Sequence, residues 1–460
     1  MNSEQQYIDL FAENRSMLDT HSAPALNALR TQAFEDFRRQ GFPSRKVERY
    51  RYTDVAAAFA PDYGVNLRGL SIPVNPYEAF RCDVPNLSTS LYFVANDRFY
   101  DTMPRGGETS IKKRPALPEG VIIDSLARVA LERPELVAPY YGRLARSSKD
   151  AINALNTMLA QDGVFIYVPR HTVVPRPIQV VNILRADVPL MANRRMLIVL
   201  EEGAQLQLLV CDHTMDDHDF LATQVVEAFV GEDAHLEFHE LEETHPTNHR
   251  FSNTYADLSA HSVATLGCIT LSCGLTRNRT DVTLSGEDSE VNLIGAVVAD
   301  GNQHADNNTL IDHRVPNCRS NELYKYVLDD SAVGAFAGRV LVREGAQKTS
   351  SRETNANLCA APTARMYTQP MLEIYADDVK CSHGSTVGQL NDAALFYMRQ
   401  RGVPEDEARL LLKFAFVGEV IDGIRLDALR DRLHYLVEKR FRGELGRCAG
   451  CGENVKCGER

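Results

Sequence analysis

Four polar turns of one kind mark the middle of the chain: Glu202-Gly203-Ala204-Gln205-Leu206, Gly231-Glu232-Asp233-Ala234-His235-Leu236, Ala260-His261-Ser262-Val263-Ala264 and Gly286-Glu287-Asp288-Ser289-Glu290-Val291. Gly203 and Gly231 are 28 residues apart, Gly231 and His261 are 30 apart, and His261 and Asp288 are 27 apart. Related turns follow at 329–333 and 344–346. A polar turn that precedes a strand and recurs at a period of roughly 20 to 50 residues is typical of stacked coils.

Short apolar or alternating runs lie between these turns, and the clearest are 178–184, 197–200, 206–210 and 225–230. Each run is bounded by Gly, Asp, Asn or Glu, as strands commonly are. No helical pattern separates the runs, which argues against βαβ units. The pattern therefore predicts a β-helix core over residues 164–390, in which each coil buries its strands against the next. An ordinary β-sandwich stays open as the alternative, because it also consists of short strands.

Helical patterns flank this core on both sides. Residues 1–163 are predicted to form an N-terminal, mostly helical module, with helices at Pro24–Gly41, from Asp124 and from Ser148. Residues 391–445 are predicted to form a C-terminal helical module, and residues 446–460 are a Cys-rich tail. The sequence thus predicts a mainly β chain with α-helical modules at both ends of a β-helix.

The helix predicted from Glu405 is apolar on almost all sides. One stripe consists of Ala408, Leu411, Leu412, Ala415 and Phe416, and a second stripe runs along the opposite side. Such a helix is either buried between neighbours or keeps one face for a partner. We therefore regard the first stripe as a candidate docking surface, and a self-contained helical cap as the alternative.

Composition limits the possible functions. The 460 residues carry a formal net charge of −12 and a pI of about 5.6, which disfavours binding to nucleic acid or to an anionic membrane. The first residues do not resemble a secretory signal, so we expect a cytoplasmic protein. The ten cysteines are then expected to be mostly buried thiols rather than disulfides. The sequence contains no phosphate-binding loop, no dinucleotide fingerprint and no nucleophile elbow, so no nucleotide site is expected.

Cys381 and His383 form the most suggestive cluster, within Asp377-Asp378-Val379-Lys380-Cys381-Ser382-His383-Gly384. On an extended strand both side chains leave the same face, with Cα atoms about 6.6 Å apart. A thiolate beside an imidazole suits iron or zinc. Most metal and cluster sites need four protein ligands, so the pair is half a site whose remaining ligands come from elsewhere or from another subunit.

Two further groups of residues carry weaker signals. The stretch from His304 to His313 is interpreted as a polar row at β-helix turns, with a metal or proton-transfer ladder as the alternative. The tail cysteines Cys448, Cys451 and Cys457 form a candidate metal site that lacks a fourth ligand. The remaining histidines between residues 213 and 249 show no ligand spacing and are expected at the surface or in turns.

The stretch from Leu372 to Leu390, continued by Ala394-Leu395-Phe396-Tyr397 and Arg399-Gln400-Arg401-Gly402, closely resembles the C-terminal signature of the SufB/SufD family. Members of this family assemble iron-sulfur clusters in the SUF system. The resemblance reaches upstream to Gln303-His304, Asp312-His313 and Gln347-Lys348-Thr349, and to the N-terminal stretch 43–53. The Lys-Cys-Ser-His-Gly form and the N-terminal stretch look like the SufD branch rather than the SufB branch. Three features depart from the family pattern: Tyr50 for the usual Trp, Glu353 for the common Gln, and the tail cysteines.

This resemblance implies a right-handed parallel β-helix and a non-enzymatic scaffold subunit. It implies pairing with a SufB-like paralogue and with a SufC-like ABC-type ATPase, and a possible homodimer when the chain is alone. A transient iron-sulfur cluster or iron would be shared with the partner near Cys381 and His383, and the C-terminal helices would dock the ATPase. The alternatives are the SufB role within the same family and a β-helix carbohydrate-active enzyme.

Overall fold

The computed structural model describes residues 3–70, 76, 89–100, 116–216 and 218–444. In these ranges the protein is mainly β, a parallel β-helix with helices at its N-terminal and C-terminal ends. The predicted fold class is therefore confirmed. The β-sandwich alternative is wrong, because each strand of the core pairs in parallel with the strand two positions along the chain.

The strands alternate between two sheets, so that one coil contributes one strand to each. From β5 onward the odd-numbered strands form one sheet, here the odd sheet, and the even-numbered strands from β6 form the other, here the even sheet. The strands are β1 Gly64–Val65, β2 Ser90–Ala95, β3 Arg98–Tyr100, β4 Ile122–Ser125, β5 Val164–Val168, β6 Ile178–Leu184, β7 Leu190–Leu200, β8 Gln205–Thr214, β9 Phe220–Val230, β10 His235–Glu243, β11 His249–Leu258, β12 Val263–Ser272, β13 Leu275–Leu284, β14 Glu290–Ala299, β15 His304–His313, β16 Arg319–Leu328, β17 Val333–Val342, β18 Ser350–Cys359, β19 Arg365–Ile374 and β20 Lys380–Gly388.

The recurring turns have a common geometry that explains their sequence. One residue in each turn has a positive φ, for example Gly203 at 66°, Asp233 at 55° and Asp288 at 57°. This left-handed conformation favours Gly, Asn and Asp, which most of the turns supply, whereas the third quoted turn has His261 there with φ of 55°. The next residue is small and buried, such as Ala204 or Ala234, because it points into the coil where the strand begins. The turn pattern thus sets the register of the coils.

Helices cover the outer faces of both sheets. Those near the N-terminus pack against Met191, Leu221 and Phe251 of the odd sheet, and those at the C-terminus pack against Leu241, Ile269 and Ile294 of the even sheet. None of the helices in the described ranges has the length and apolar character needed to cross a membrane. The α-helices are Ser3–Thr20, Pro24–Asn27, Arg30–Gln40, Val55–Ala58, Leu126–Glu132, Pro134–Val137, Ala151–Leu159, Asp392–Gln400, Glu405–Asp422 and Asp427–Phe441.

The helix predicted over Pro24–Gly41 is divided in the structure. It forms two helices, Pro24–Asn27 and Arg30–Gln40. The guanidinium of Arg30 is buried and donates hydrogen bonds to the carbonyl oxygens of Met158 and Ala160, at 2.6 and 2.7 Å. Met158 lies at the end of the helix Ala151–Leu159, and Ala160 directly follows it. The break before Arg30 therefore lets the helix Arg30–Gln40 begin in contact with the end of the helix Ala151–Leu159. The sequence pattern carried no signal of this contact.

Tyr50 anchors the N-terminal segment to the β-helix. Its hydroxyl donates to Asp150 at 2.6 Å, and the guanidinium of Arg277 on β13 lies 3.8 Å from its ring centroid. Thr53 donates to Asp306 on β15 at 2.6 Å, so two positions of this segment are fixed to neighbouring coils. An aromatic residue at position 50 is therefore required by the stacking on Arg277, and Tyr satisfies it.

We expect Tyr50→Ala to lower the free energy of unfolding by about 4 kcal/mol, because it removes a buried ring and leaves Arg277 and Asp150 without this contact. Tyr50→Phe keeps the ring and removes only the hydroxyl, so its cost should be about 1 to 2 kcal/mol. Denaturant unfolding followed by circular dichroism measures both. Equal losses for the two variants would contradict the role given to the ring.

Candidate functional site

Cys381 and His383 lie on β20, which is the last strand of the even sheet. β20 pairs with β18 on one side, and its other edge has no strand beside it in the described part of the chain. Cys381 stands opposite Ser351 and His383 opposite Glu353. Because Ser351 and Glu353 point into the β-helix, Cys381 and His383 share that face at its open end. Cys381 is half-buried and His383 is exposed.

The surroundings of Cys381 favour a neutral thiol. Its side chain packs against an apolar cluster that includes Val340, Val342 and Ala376. Burial there raises the pKa of the thiol, and an amide contact from Ser351 lowers the pKa by a smaller amount. A thiol with a raised pKa becomes a ligand only when a metal or another charge displaces its proton. Lys380 is exposed and alternates to the other face, as the sequence predicted.

A chain of hydrogen bonds leads from the interior to the strand beside Cys381. His313 Nε2 lies 2.9 Å from the hydroxyl oxygen of Ser320, and that hydroxyl lies 2.8 Å from the hydroxyl of Ser351. His313 is fully buried, and this burial lowers its pKa to about 4. The imidazole is therefore neutral at physiological pH and orients the two serines.

The stretch from His304 to His313 is a buried strand, β15, so its interpretation as a row at the turns is wrong. Its polar side chains form structural hydrogen bonds. The carboxylate of Asp306 accepts a hydrogen bond from the hydroxyl of Thr53, and the side-chain amide of Asn307 donates one to the hydroxyl of Tyr326 at 2.6 Å. These polar side chains face the interior or the packed N-terminal segment, where residues of neighbouring coils and of that segment provide hydrogen-bond partners. Among residues 3–70, 89–100, 116–216 and 218–444, no group of three or more His, Cys, Asp or Glu side chains is arranged to hold a metal ion.

Two of the other histidines also depart from the surface or turn locations expected of them. His213 and His239 are buried, with 6% and 1% of their surfaces exposed. His239 contacts Glu237 at 2.9 Å, and a side chain at Gly267 would collide with its ring. The C-terminal helices cover this part of the even sheet, and a single sequence does not show which outward positions a later segment will cover.

The two stripes of the helix Glu405–Asp422 have different environments. The second stripe, with Leu410, Val417 and Ile421, is buried against the even sheet or within the C-terminal helices. In the first stripe Leu411 and Ala415 are exposed, Leu412 and Phe416 are half-buried, and Ala408 is fully buried. Phe396 and Tyr397 on the preceding helix are also exposed. An apolar surface therefore remains on this module after the helices have packed.

Sequence reasoning missed the acidic groups inside the last coils. Glu322 and Glu353 are buried opposite one another on β16 and β18. The available signal was the alternation of inward and outward side chains along each strand. Once the register is known, this alternation places both glutamates on the inward face. The tail cysteines Cys448, Cys451 and Cys457 lie outside the described residues, so the predicted metal site there stays a prediction.

Two family models account for most of the chain. Residues 1–180 match the SufBD protein N-terminal region, and residues 183–416 match the SUF system FeS cluster assembly, SufBD core domain. The chain is a SufBD family protein. The resemblance inferred from the sequence signature is therefore confirmed, and the core model covers the β-helix from β7 to β20 together with the start of the C-terminal helices.

Full-length relatives agree with this family assignment. The iron-sulfur cluster assembly protein SufD of Escherichia coli is 27% identical over 421 residues, which cover 90% of this chain and 92% of that protein. An iron-sulfur cluster assembly SufBD family protein of Synechocystis is 28% identical over 414 residues, covering 86% and 87%. SufD of Bacillus subtilis is 23% identical over 448 residues, covering 95% and 98%.

We expect Cys381 to react with iodoacetamide in the native protein, and more slowly at pH 7 than an ordinary cysteine. Because burial raises the pKa of its thiol, the midpoint of the increase in rate with pH should lie above pH 8.5, the pH at which an unperturbed thiol is half ionised. Peptide mass spectrometry measures the rate at each pH. Cys268, which is buried inside the β-helix, serves as the unreactive control. A midpoint at or below pH 8.5 would contradict the prediction.

Proposed function

We propose that this SufBD family protein is the SufD-type scaffold subunit of a complex that assembles iron-sulfur clusters. In this proposal it pairs with a SufB-like paralogue and binds a SufC-like ABC-type ATPase in the cytoplasm. Cys381 and His383 contribute ligands to a nascent cluster or iron that the partner completes. The cluster is cargo rather than a resident cofactor, and the subunit itself performs no catalysis.

The observation that carries this proposal is the open end of the β-helix. β19 and β20 are the edge strands of the two sheets, and the described residues place no strand beyond them. Exposed edges leave backbone groups available for pairing with another chain. Tyr375 and Val387 are more than half exposed at this end, where a partner could cover them. A metal site shared between two subunits needs each subunit to supply some of the ligands at an edge that the other subunit can reach. Cys381 and His383 on β20 meet both requirements.

The donor atoms of Cys381 and His383 support a role in holding metal rather than in catalysis. Cys381 offers sulfur and His383 offers nitrogen, and both donors suit iron. No ion pair involves His383 in the described part of the chain, so its ring is free to bind. The carbohydrate-active alternative has no support from the family assignment, whereas the SufB role would be distinguished by direct sulfur transfer from a persulfide donor.

Anaerobic cluster assembly on the complex with SufB-type and SufC-type partners tests the site. We expect Cys381→Ala and His383→Ala each to reduce the rate or yield of cluster formation by about tenfold, because each removes one ligand. Cluster absorbance and iron content are the measurements. Cys359→Ala is the matched control, since Cys359 is another partly exposed thiol and lies away from His383 on β18. Normal assembly by both site variants would refute the assignment.

The apolar surface on the C-terminal module should bind the ATPase. Leu411 is 40% exposed, and a charge there would have to be buried in the interface. We therefore expect Leu411→Asp to weaken binding of the SufC-type ATPase by about tenfold or more, as measured by titration calorimetry. Leu131→Asp introduces the same charge at an exposed leucine of the N-terminal module and should leave binding unchanged. Unchanged binding by Leu411→Asp would place the docking surface elsewhere.

A further inference from the structure

Three cations lie on the outer surface of the even sheet, beside its open end. They are Arg319 on β16, Arg352 on β18 and Lys380 on β20, and all three side chains are exposed. The only acidic residues of these strands, Glu322 and Glu353, are buried and point inward. Because side chains alternate along a strand, the outward positions of the three strands carry no acidic residue. Arg319, Arg352 and Lys380 are called the basic patch below.

The register of the strands brings these three cations close together. Arg319 is opposite Ser350, which is opposite Lys380, and Arg352 follows Ser350 by two residues. Since neighbouring strands lie about 4.8 Å apart, the Cα atoms of Arg319 and Lys380 are about 10 Å apart. Two residues along a strand span about 6.6 Å, which places the Cα atom of Arg352 about 8 Å from each of them. Like charges at this spacing repel one another and attract anionic groups.

The side chains of the basic patch have no partner of opposite charge. Within the described residues, none of the three forms an ion pair or a side-chain hydrogen bond. Glu290 on β14 is next to Arg319 in the ladder, but its carboxylate accepts a hydrogen bond from the side-chain amide of Asn292. In a chain with a formal net charge of −12, three neighbouring cations without an acidic partner are unusual.

Another cation on the same face of the sheet shows how such a charge is satisfied when it is covered. Lys325 on β16 is buried beneath the C-terminal helices. Its ammonium group donates a hydrogen bond to the carbonyl oxygen of Phe416 at 3.0 Å and forms an ion pair with Glu419. The basic patch lies nearer the start of these strands and remains exposed in the described part of the chain. It therefore has the character of a contact surface whose acidic counterpart lies on another molecule.

The open edge of β20 indicates where that counterpart is found. A strand that pairs with this edge places side chains directly beside Lys380 and one strand further from Arg352. Opposite charges at such positions stabilise the pairing, and like charges destabilise it. A second copy of this chain that pairs through its own β20 supplies no acid there, because β20 contains none. The patch therefore fits a different chain, whose edge strand carries Asp or Glu on its outward face.

We propose that the basic patch binds an acidic edge strand of the subunit that pairs with β20. This inference rests on the proposed function, in which that subunit is the SufB-like paralogue. The patch lies on the opposite face of β20 from Cys381 and His383, so it recognises the partner without contacting the nascent cluster. Its ionic contacts favour the acidic edge over a second copy of this chain, and they align the partner's strand beside the two ligands.

Exposed charges at an interface act mainly on the rate of association and on specificity. Their attraction is weakened by salt, because the Debye length falls from about 30 Å at 0.01 M to about 3 Å at 1 M ionic strength. Cys381 and His383 act at a later stage, since they hold iron or a cluster after the subunits have met. The association rate and the cluster yield therefore report on two different parts of this edge.

Association of the full-length protein with the SufB-like partner, measured by biolayer interferometry at several salt concentrations, tests this proposal. We expect the double variant Arg319→Glu and Arg352→Glu to associate about tenfold more slowly at low salt, with a weaker dependence on salt. Arg352→Lys keeps the charge and should associate at the rate of the unmodified protein. All of these positions are exposed, so the substitutions leave the core unchanged.

The double variant Arg143→Glu and Lys149→Glu is the matched control, because it makes the same change in net charge at exposed positions of the N-terminal module. Its association rate should be nearly unchanged. An equal loss in this control, or a rate that neither salt nor the patch variants alter, would overturn the inference and leave the proposed function intact. Absence of any complex with the unmodified protein would instead overturn the proposed function, and this inference with it.

Discussion

Parallel pairing between successive coils is the constraint on which the rest of this structure depends. Every strand from β7 to β18 hydrogen-bonds to a strand on each side, and the repeated turns bring each coil back in register with the previous one. Parallel strands place equivalent positions in continuous columns, so each inward residue rests on its counterparts in the neighbouring coils. A residue that suits one coil must therefore be compatible with two others.

This constraint explains how the interior accommodates charge. Arg250 on β11 lies between Asp212 on β8 and Glu240 on β10, with its guanidinium nitrogens 3.0 and 2.7 Å from their carboxylate oxygens. The nearby carboxylates raise the pKa of Arg250, and the nearby guanidinium groups lower the pKa of Asp212. These buried charges are tolerated because the fixed register of adjacent coils places residues of opposite charge beside them. Glu322 and Glu353 lie opposite one another in a column that provides no cation among the described residues, and their carboxyl oxygens have no hydrogen-bond partner there.

The same constraint makes the last coil different from the others. Among the described residues β19 and β20 have neighbouring strands on one side only, so the stack ends there with open edges and with side chains that no further coil of the described chain covers. Helices close the lateral faces of the sheets but leave this end free. In the described part of the chain, inward-facing side chains reach solvent on both end strands, β19 and β20, and Cys381 and His383 lie on β20. The proposed interface site is thus a consequence of where the repeat stops.

The sequence by itself determined the repeat and the main features of the fold. The turns at Gly203, Asp233 and Asp288 need left-handed backbone, and such local requirements are visible in one chain without tertiary information. The signature around Cys381 likewise identified the family, and the alternation of a strand placed His383 on the same face as Cys381. The predicted division into modules at 163, 390 and 445 stays a prediction, although the helices and strands begin and end near those positions.

Only the tertiary structure decided which residues meet across coils. His313 lies seven residues from Ser320, yet it reaches Cys381's neighbour Ser351 through a contact between sheets. The pairing of Glu322 with Glu353, and the space that Gly338 leaves for them, depend on register over 15 to 31 residues. The burial of His239 depends on helices that follow it by more than 150 residues. Local patterns specify turns and faces, whereas contacts between distant segments exist only after the coils have stacked.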